Sequence, residues 1–228
     1  MTEYGKNDED KQIVDKRIEY CKYIDDHIDG VKRAFQELFV DKHPIIPGYE
    51  KWELSIMEAL EKRINRHDAS KYQDEEFEPY RRHFYPTDAE KAKGETPEDM
   101  KLFEDALRHH YTHNPHHPEY WKWVKIIKRG DFNVPHVYRI LNTPNEVPID
   151  MDIISILEMI CDWRSMDYKF GGTSIDFWHN KAKDERAAMS DGTIAKVDEL
   201  MDILYGDWLW AKWDKLLKLA LIFNSIII

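Results

Sequence analysis

Two ligand-type side chains stand together at His67-Asp68, inside Arg66-His67-Asp68-Ala69-Ser70-Lys71. Imidazole and carboxylate both bind divalent cations, and a bound ion can activate water. Adjacent side chains on a helix point about 100° apart, so the pair reaches one ion only if it lies in the angle between them. The remaining ligands must come from other segments, and the chain has eleven histidines to draw on. Taken alone, the dipeptide also looks like a helix end followed by a capping Asp.

Three other places offer ligands. His27 follows Tyr20 and Ile24 and precedes Val31 and Phe35 at helical steps, which sets it on or beside a core-facing stripe. A ring there needs a polar partner, although Asp25, Asp26 and Asp29 would also suit a solvated histidine. His109, His110, His113, His116 and His117 crowd into one short run, more imidazole than an ordinary core needs. The plain alternative is a solvated histidine-rich loop. Helical phase puts Phe103, Ala106 and His110 on one face, and Asn114-Pro115 then turns the chain so that His116 or His117 folds back. Asp162 lies in an apolar helical stretch, with Glu158 one turn before it. A carboxylate there is costly unless it is metal-bound or paired, with Arg164 or Arg139 as the available partners.

The segment from Arg66 to Lys71 resembles the signature of the HD-domain superfamily of metal-dependent phosphohydrolases. Its His-Asp-Ala-Ser form is similar to that of the bacterial 5′-deoxynucleotidases. Three further motifs resemble an uncharacterised phage and bacterial family related to HD proteins. They are His67-Asp68-x-Ser70-Lys71-x-x-x-Glu75-Glu76-Phe77, Asn114-x-His116-His117-x-Glu119-x-Trp121, and Glu158-Met159-x-x-Asp162-Trp163-x-x-Met166. The resemblance runs from His27 to about Gly172. It implies a helical bundle in which His27, His67, Asp68 and Asp162 hold a divalent metal. His110 and His117 would fill the extra histidine positions of two-metal members, with His116 as the alternative to His117. The departure is spacing, because those two histidines are seven apart here rather than on well-separated helices.

On this basis the expected activity is metal-dependent hydrolysis of a nucleotide or other small phosphate ester, using one or two ions of Mn, Co, Mg, Zn or Fe. Asp68 would bind metal and orient the attacking water. Lys71 would meet a phosphate oxygen as a point charge, with Arg164 or Arg108 as a second cation. Glu75 or Glu76 would carry a proton, with Glu75 the first choice. Trp121, with Trp163 and Tyr120, would stack on a base. Two other functions use the same residues. An HD-type di-iron oxygenase would hold two irons, and a non-catalytic HD-like protein would only bind a nucleotide or a partner.

These residues need a scaffold. The chain has 228 residues, 42% hydrophobic and 13% aromatic, enough to build a core. Helical periodicity dominates and strand signals are weak, so the expected class is all-α: an HD-like bundle over 1–172 with a helical extension over 173–228 packed on it. A first helix is predicted from about Asp10 to Phe39, stopped by His43-Pro44-Ile45-Ile46-Pro47-Gly48. A second runs from Glu50 to Asn65 with Trp52, Ile56, Leu60 and Ile64 on one stripe. Further helices are predicted over Glu75–Tyr85, from Thr96-Pro97-Glu98-Asp99 onward, over Glu119–Lys128, Asp150–Tyr168, Ser174–Met189 and Thr193–Lys218, with a loop at Pro86–Pro97. The net charge of −11 argues against duplex nucleic acid as a partner. No signal peptide, no run near the ~18 residues of a membrane span, and two isolated cysteines fit the cytoplasm of a bacterium or phage-infected host. The apolar tail Leu216–Ile228 is expected to pack on the core or on a second subunit.

Overall fold

The computed structural model describes residues 3–128 and 137–206, and over them the chain is an all-α fold with one small hairpin. The first helix, α1, covers Glu3–Phe35 and widens into a π-helical turn over Gln36–Asp41. Its buried positions are Tyr20, Ile24, Val31, Ala34 and Leu38. These steps of three and four set one stripe inward, and His27 occupies the gap in it. α2, Glu53–Ile64, buries Ile56, Leu60 and Ile64. Trp52 precedes it in a 3-10 turn, with its side chain outside the described residues.

α3 is Asp74–Phe84. The loop expected over Pro86–Pro97 instead contains a short helix, α4, Asp88–Lys93. Thr87 and Glu90 close a capping box at its start, a signal that the polar composition masks. α5, Pro97–His113, begins as predicted, with Thr96 and Asp99 capping each other and proline in the first turn. The helix expected over Glu119–Lys128 does not form. A 3-10 turn covers Pro118–Lys122, and Val124–Lys128 is strand β1, paired antiparallel with β2, Val137–Ile140. Val124-Lys-Ile-Ile-Lys is β-branched at three of its positions, which favours strand over helix.

α6, Ile153–Phe170, is the central helix. Ile153, Ile156, Leu157, Met159, Ile160 and Cys161 are all buried on it, so its first half is apolar nearly all round. α1 and α2 both pack against it. At Gly30 a Cβ would stand 3.2 Å from Ser165 Cβ, so glycine lets α1 come close to α6. The predicted helix over Ser174–Met189 is two short ones, α7 Ser174–Asn180 and α8 Lys183–Ala187. Residues 191–206 are helical again. Ile175, Trp178, Val197, Leu200 and Met201 share one buried cluster with α1, α2 and α6. Residues 173–206 therefore contribute to the main core. The tail Leu216–Ile228 lies outside the described residues. No helix among the described residues is long and apolar enough to cross a membrane.

Leu60 is fully buried and Leu54 is 81% exposed on the same helix. Leu60→Ala should lower unfolding free energy by about 2–5 kcal/mol. Leu54→Ala should change it by no more than about 0.5 kcal/mol. Urea unfolding of the two variants measures the difference.

Candidate metal centre

The chain solves the 100° problem at Asp68 by leaving the helix. α2 ends at Ile64, turns follow over 65–68, and a 3-10 turn covers Ala69–Tyr72. Asp68 itself is left-handed, at φ 54° and ψ 19°. Aspartate tolerates that conformation better than most residues, and strained backbone of this kind gathers at functional sites. The reversal aims both the His67 ring and the Asp68 carboxylate inward, at 1% and 2% exposure.

Seven side chains converge there in two adjoining groups. The first is His27, His67 and Asp162. His27 Nε2 is 3.3 Å from His67 Nε2, 3.3 Å from Asp162 Oδ1 and 3.4 Å from Asp68 Oδ2. The second is Asp68, His110, His116 and His117. Asp68 Oδ1 is 3.5 Å from His110 Nε2 and 3.4 Å from His116 Nε2, while His110 Nε2 is 2.8 Å from His117 Nε2. Asp68 thus turns one oxygen toward each group.

Several of the donors are held from behind. Gly30 lets His27 reach α6, where its Nδ1 lies 3.2 Å from Ser165 Oγ, which in turn donates to the Asp162 carbonyl. His67 Nδ1 faces Glu158 Oε1 at 3.0 Å. His110 Nδ1 faces Glu76 Oε2 at 2.9 Å, and the other Glu76 oxygen meets His109 at 2.7 Å. Asn114 ends α5, donates to Ser70 Oγ, and starts the turn that delivers His116 and His117. On α6 the residues facing the centre are Glu158, Asp162 and Ser165, a polar stripe on an apolar helix.

The arrangement fits divalent ions. Donors bound at about 2.1 Å to one ion stand roughly 3.0–3.4 Å apart, close to the separations within each group. Asp68 Oδ1 and His116 Nε2 are buried without a hydrogen-bond partner. Facing ring nitrogens, as in His27–His67 and His110–His117, repel as lone pairs unless a proton or a cation lies between them. Both groups therefore want positive charge where their donors converge. Lys71 supplies part of it, with Nζ 2.6 Å from Asp68 Oδ2. Burial opposes ionisation of Asp68, but Lys71, His67 and His110 outweigh it and hold its carboxyl well below the usual range.

The centre opens on a cavity of 750 Å³ that Tyr23, His27, Asp68, Lys71, His117 and Asp162 help to line. Trp163, Met166, Phe170 and Phe177 form apolar wall beyond them.

Five of the expected roles change. Both His116 and His117 join the centre, where the sequence leaves a choice of one. Glu75 is exposed; the buried face of α3 is Glu76 and Tyr80, so Glu76 points inward and Glu75 to solvent. Arg164 projects from another side of α6 than Asp162. It pairs with Glu37 at 2.7 Å and with Asp167 at 3.3 Å, and does not line the cavity itself. Trp121 is 1% exposed in the core and donates from Nε1 to the Pro115 carbonyl, so it braces the histidine-bearing turn and is closed to a base. Arg108 pairs with Asp105 on the surface. Asp162 meets His27 rather than an arginine.

The histidines give the metal-free centre a pH signature. Burial and neighbouring rings hold His116 and His117 below their ordinary 6.5. Up to that pH they bind fewer protons folded than unfolded, so stability rises with pH. At His67 burial opposes the charge, but Asp68 and Glu158 outweigh it and raise the ring to about 9. Its contribution is whole below about pH 6.5 and is lost as pH climbs through 9. In chelator, urea midpoints should peak near pH 6.5. His67→Gln should flatten the fall on the alkaline side.

Neither the curated proteins nor the solved structures contain a match to this chain. All seven donors fall within residues 16–203, the stretch matched by the model of a family of unknown function, DUF5662, and the chain belongs to that family.

Proposed function

We propose that the two donor groups of this centre would each hold a divalent ion, with Asp68 serving both, and that the protein is a metal-dependent phosphohydrolase of the HD type, acting on a nucleotide or another small phosphate ester. One observation carries the reading. Two histidine-rich donor groups share a buried carboxylate, one oxygen each, beside a lysine at the mouth of a cavity. Ions bound there would supply a nucleophilic water at neutral pH and draw charge from a phosphoryl group. The chain's own residues do the rest. His27, His67 and Asp162 would hold one ion, and His110, His116 and His117 the other. Lys71 sits 13% exposed at the cavity edge, where its ammonium can leave Asp68 for a phosphate oxygen. Trp163 and Phe177 offer an apolar wall to the organic part of the substrate.

The nitrogen-rich donor set favours a second reading. Five imidazoles and two carboxylates also suit iron, and an HD-type di-iron oxygenase would use the same positions. Elemental analysis of protein purified without chelator or affinity nickel separates the two. Manganese, cobalt or magnesium with phosphate release supports the hydrolase, and iron with oxygen consumption supports the oxygenase.

Two variants test the roles. Lys71→Ala should keep its metal and lower kcat/KM by about 10- to 100-fold, the worth of a hydrogen bond to a charged group. Equal loss of metal would make Lys71 structural. Asp68→Asn keeps a side chain suited to the left-handed backbone but removes the shared charge. Phosphate release should fall to background while circular dichroism stays helical. Wild-type turnover in that variant would sink the assignment of hydrolysis to this centre.

A further inference from the structure

Glu158 stands behind the centre. It lies one helical turn before Asp162 on α6 and is 2% exposed. Its Oε1 is 3.0 Å from His67 Nδ1 and 3.4 Å from His116 Nδ1. His67 belongs to the first donor group and His116 to the second, and their ring centroids are only 4.3 Å apart. Arg63 Nη2 lies 2.5 Å from the other oxygen, Oε2.

A neutral imidazole carries a single N–H. With that hydrogen donated from Nδ1 to Glu158, the Nε2 lone pair is left for an ion. One carboxylate oxygen accepting from both rings sets the ligating form on both sides of Asp68. The other backing groups serve one side each: Ser165 backs His27, and Glu76 backs His110. His67, His116 and Glu158 also form a compact group of their own. The guanidinium on the same carboxylate makes that corner a poor place for another cation, since like charges so close in a buried setting repel strongly.

We infer that Glu158 is a shared positioning residue that couples the two half-sites, so that loading one ion tightens binding of the other. The inference rests on the two-ion reading above. An ion on His67 Nε2 fixes that ring and draws its Nδ1–H onto Glu158. The carboxylate, held between Arg63 and His67, then presents a fixed acceptor to His116. The second ion meets a ring already ordered, and cooperativity follows from ordering done once.

The experiment is a calorimetric Mn²⁺ titration of the full chain, with elemental analysis after dialysis. Wild type should bind two ions, the second more tightly than the first. Glu158→Gln should weaken both by about 10- to 100-fold, the usual effect of losing a partner behind a metal-binding histidine. It should also abolish the cooperativity, so that a one-ion form accumulates. Glu76→Gln should weaken the His110 side alone. In Zn²⁺-loaded protein, ¹H–¹⁵N spectra should show Nδ1–H signals for His67 and His116 that Glu158→Gln displaces. Should that variant unfold by circular dichroism, Arg63→Gln loosens the carboxylate from its half-exposed side and should give the same loss of cooperativity, smaller in size.

Two wild-type ions with unchanged affinities in Glu158→Gln would overturn the coupling and leave the metal reading standing. Weakening of one ion only would also overturn it. Three ions in wild type and two in the variant would make Glu158 a ligand instead. No ion in wild type would remove the two-ion reading itself, and the coupling with it.

Discussion

A carboxylate deep in a helical bundle stays ionised only where the protein surrounds it with positive or polarised groups. Asp68 is that carboxylate, and the arrangement of the whole molecule follows from it. An unpaired buried charge costs far more than any single contact returns. Asp68 is met by Lys71 from its own turn, by His27 from α1, and by His110 and His116 from α5 and the turn after it. Apart from Lys71, these partners come from segments far from Asp68 in the sequence. The bundle must therefore be closed for the carboxylate to be tolerable, and the carboxylate in turn selects one way of closing it.

The centre is also where regular structure gives way. α2 stops before His67, Asp68 turns left-handed, and Pro115 breaks the path between His110 and His116. α6 stays helical but carries Glu158, Asp162 and Ser165 along a line that packing alone would fill with leucine. Apolar positions on either side make up the loss. Ile156, Leu157, Ile160 and Cys161 are buried on the same helix, and Trp178 and Leu200 close over it from later in the chain.

Much of this was legible in the residue pattern, for definite reasons. His27 interrupts an apolar stripe whose spacing is unambiguous, and Asp162 interrupts an apolar helix, so each stands out as a polar group needing company. Ala106 and His110 share a face by simple helical phase. What stayed hidden depended on contacts between distant segments. Glu75 and Glu76 differ by one step of a helix whose start sets which faces inward, and composition cannot choose between them. Trp121 and Arg164 look available until Pro115 and Glu37 are seen to occupy them. The strand pair is masked because Tyr120, Trp121 and Trp123, just before Val124, read as a continuing helix. The left-handed turn at Asp68 leaves no mark in the sequence beyond the residue being one of the few that accept it.

The donors fall at intervals of roughly forty residues, from His27 to the His67 pair, to the His110–His117 run, to Asp162. An ion bound among them would act as a knot tying four distant points of one chain. The chain entropy lost in closing a long loop grows only slowly with its length, so three such loops can be gathered at modest added cost. Without the ion the apolar core would still hold the helices together, but the chain would lose that tie and open more often. The supply of metal in the cell would then govern the lifetime of the folded protein as well as its chemistry, because chelation exposes an opened chain to proteases.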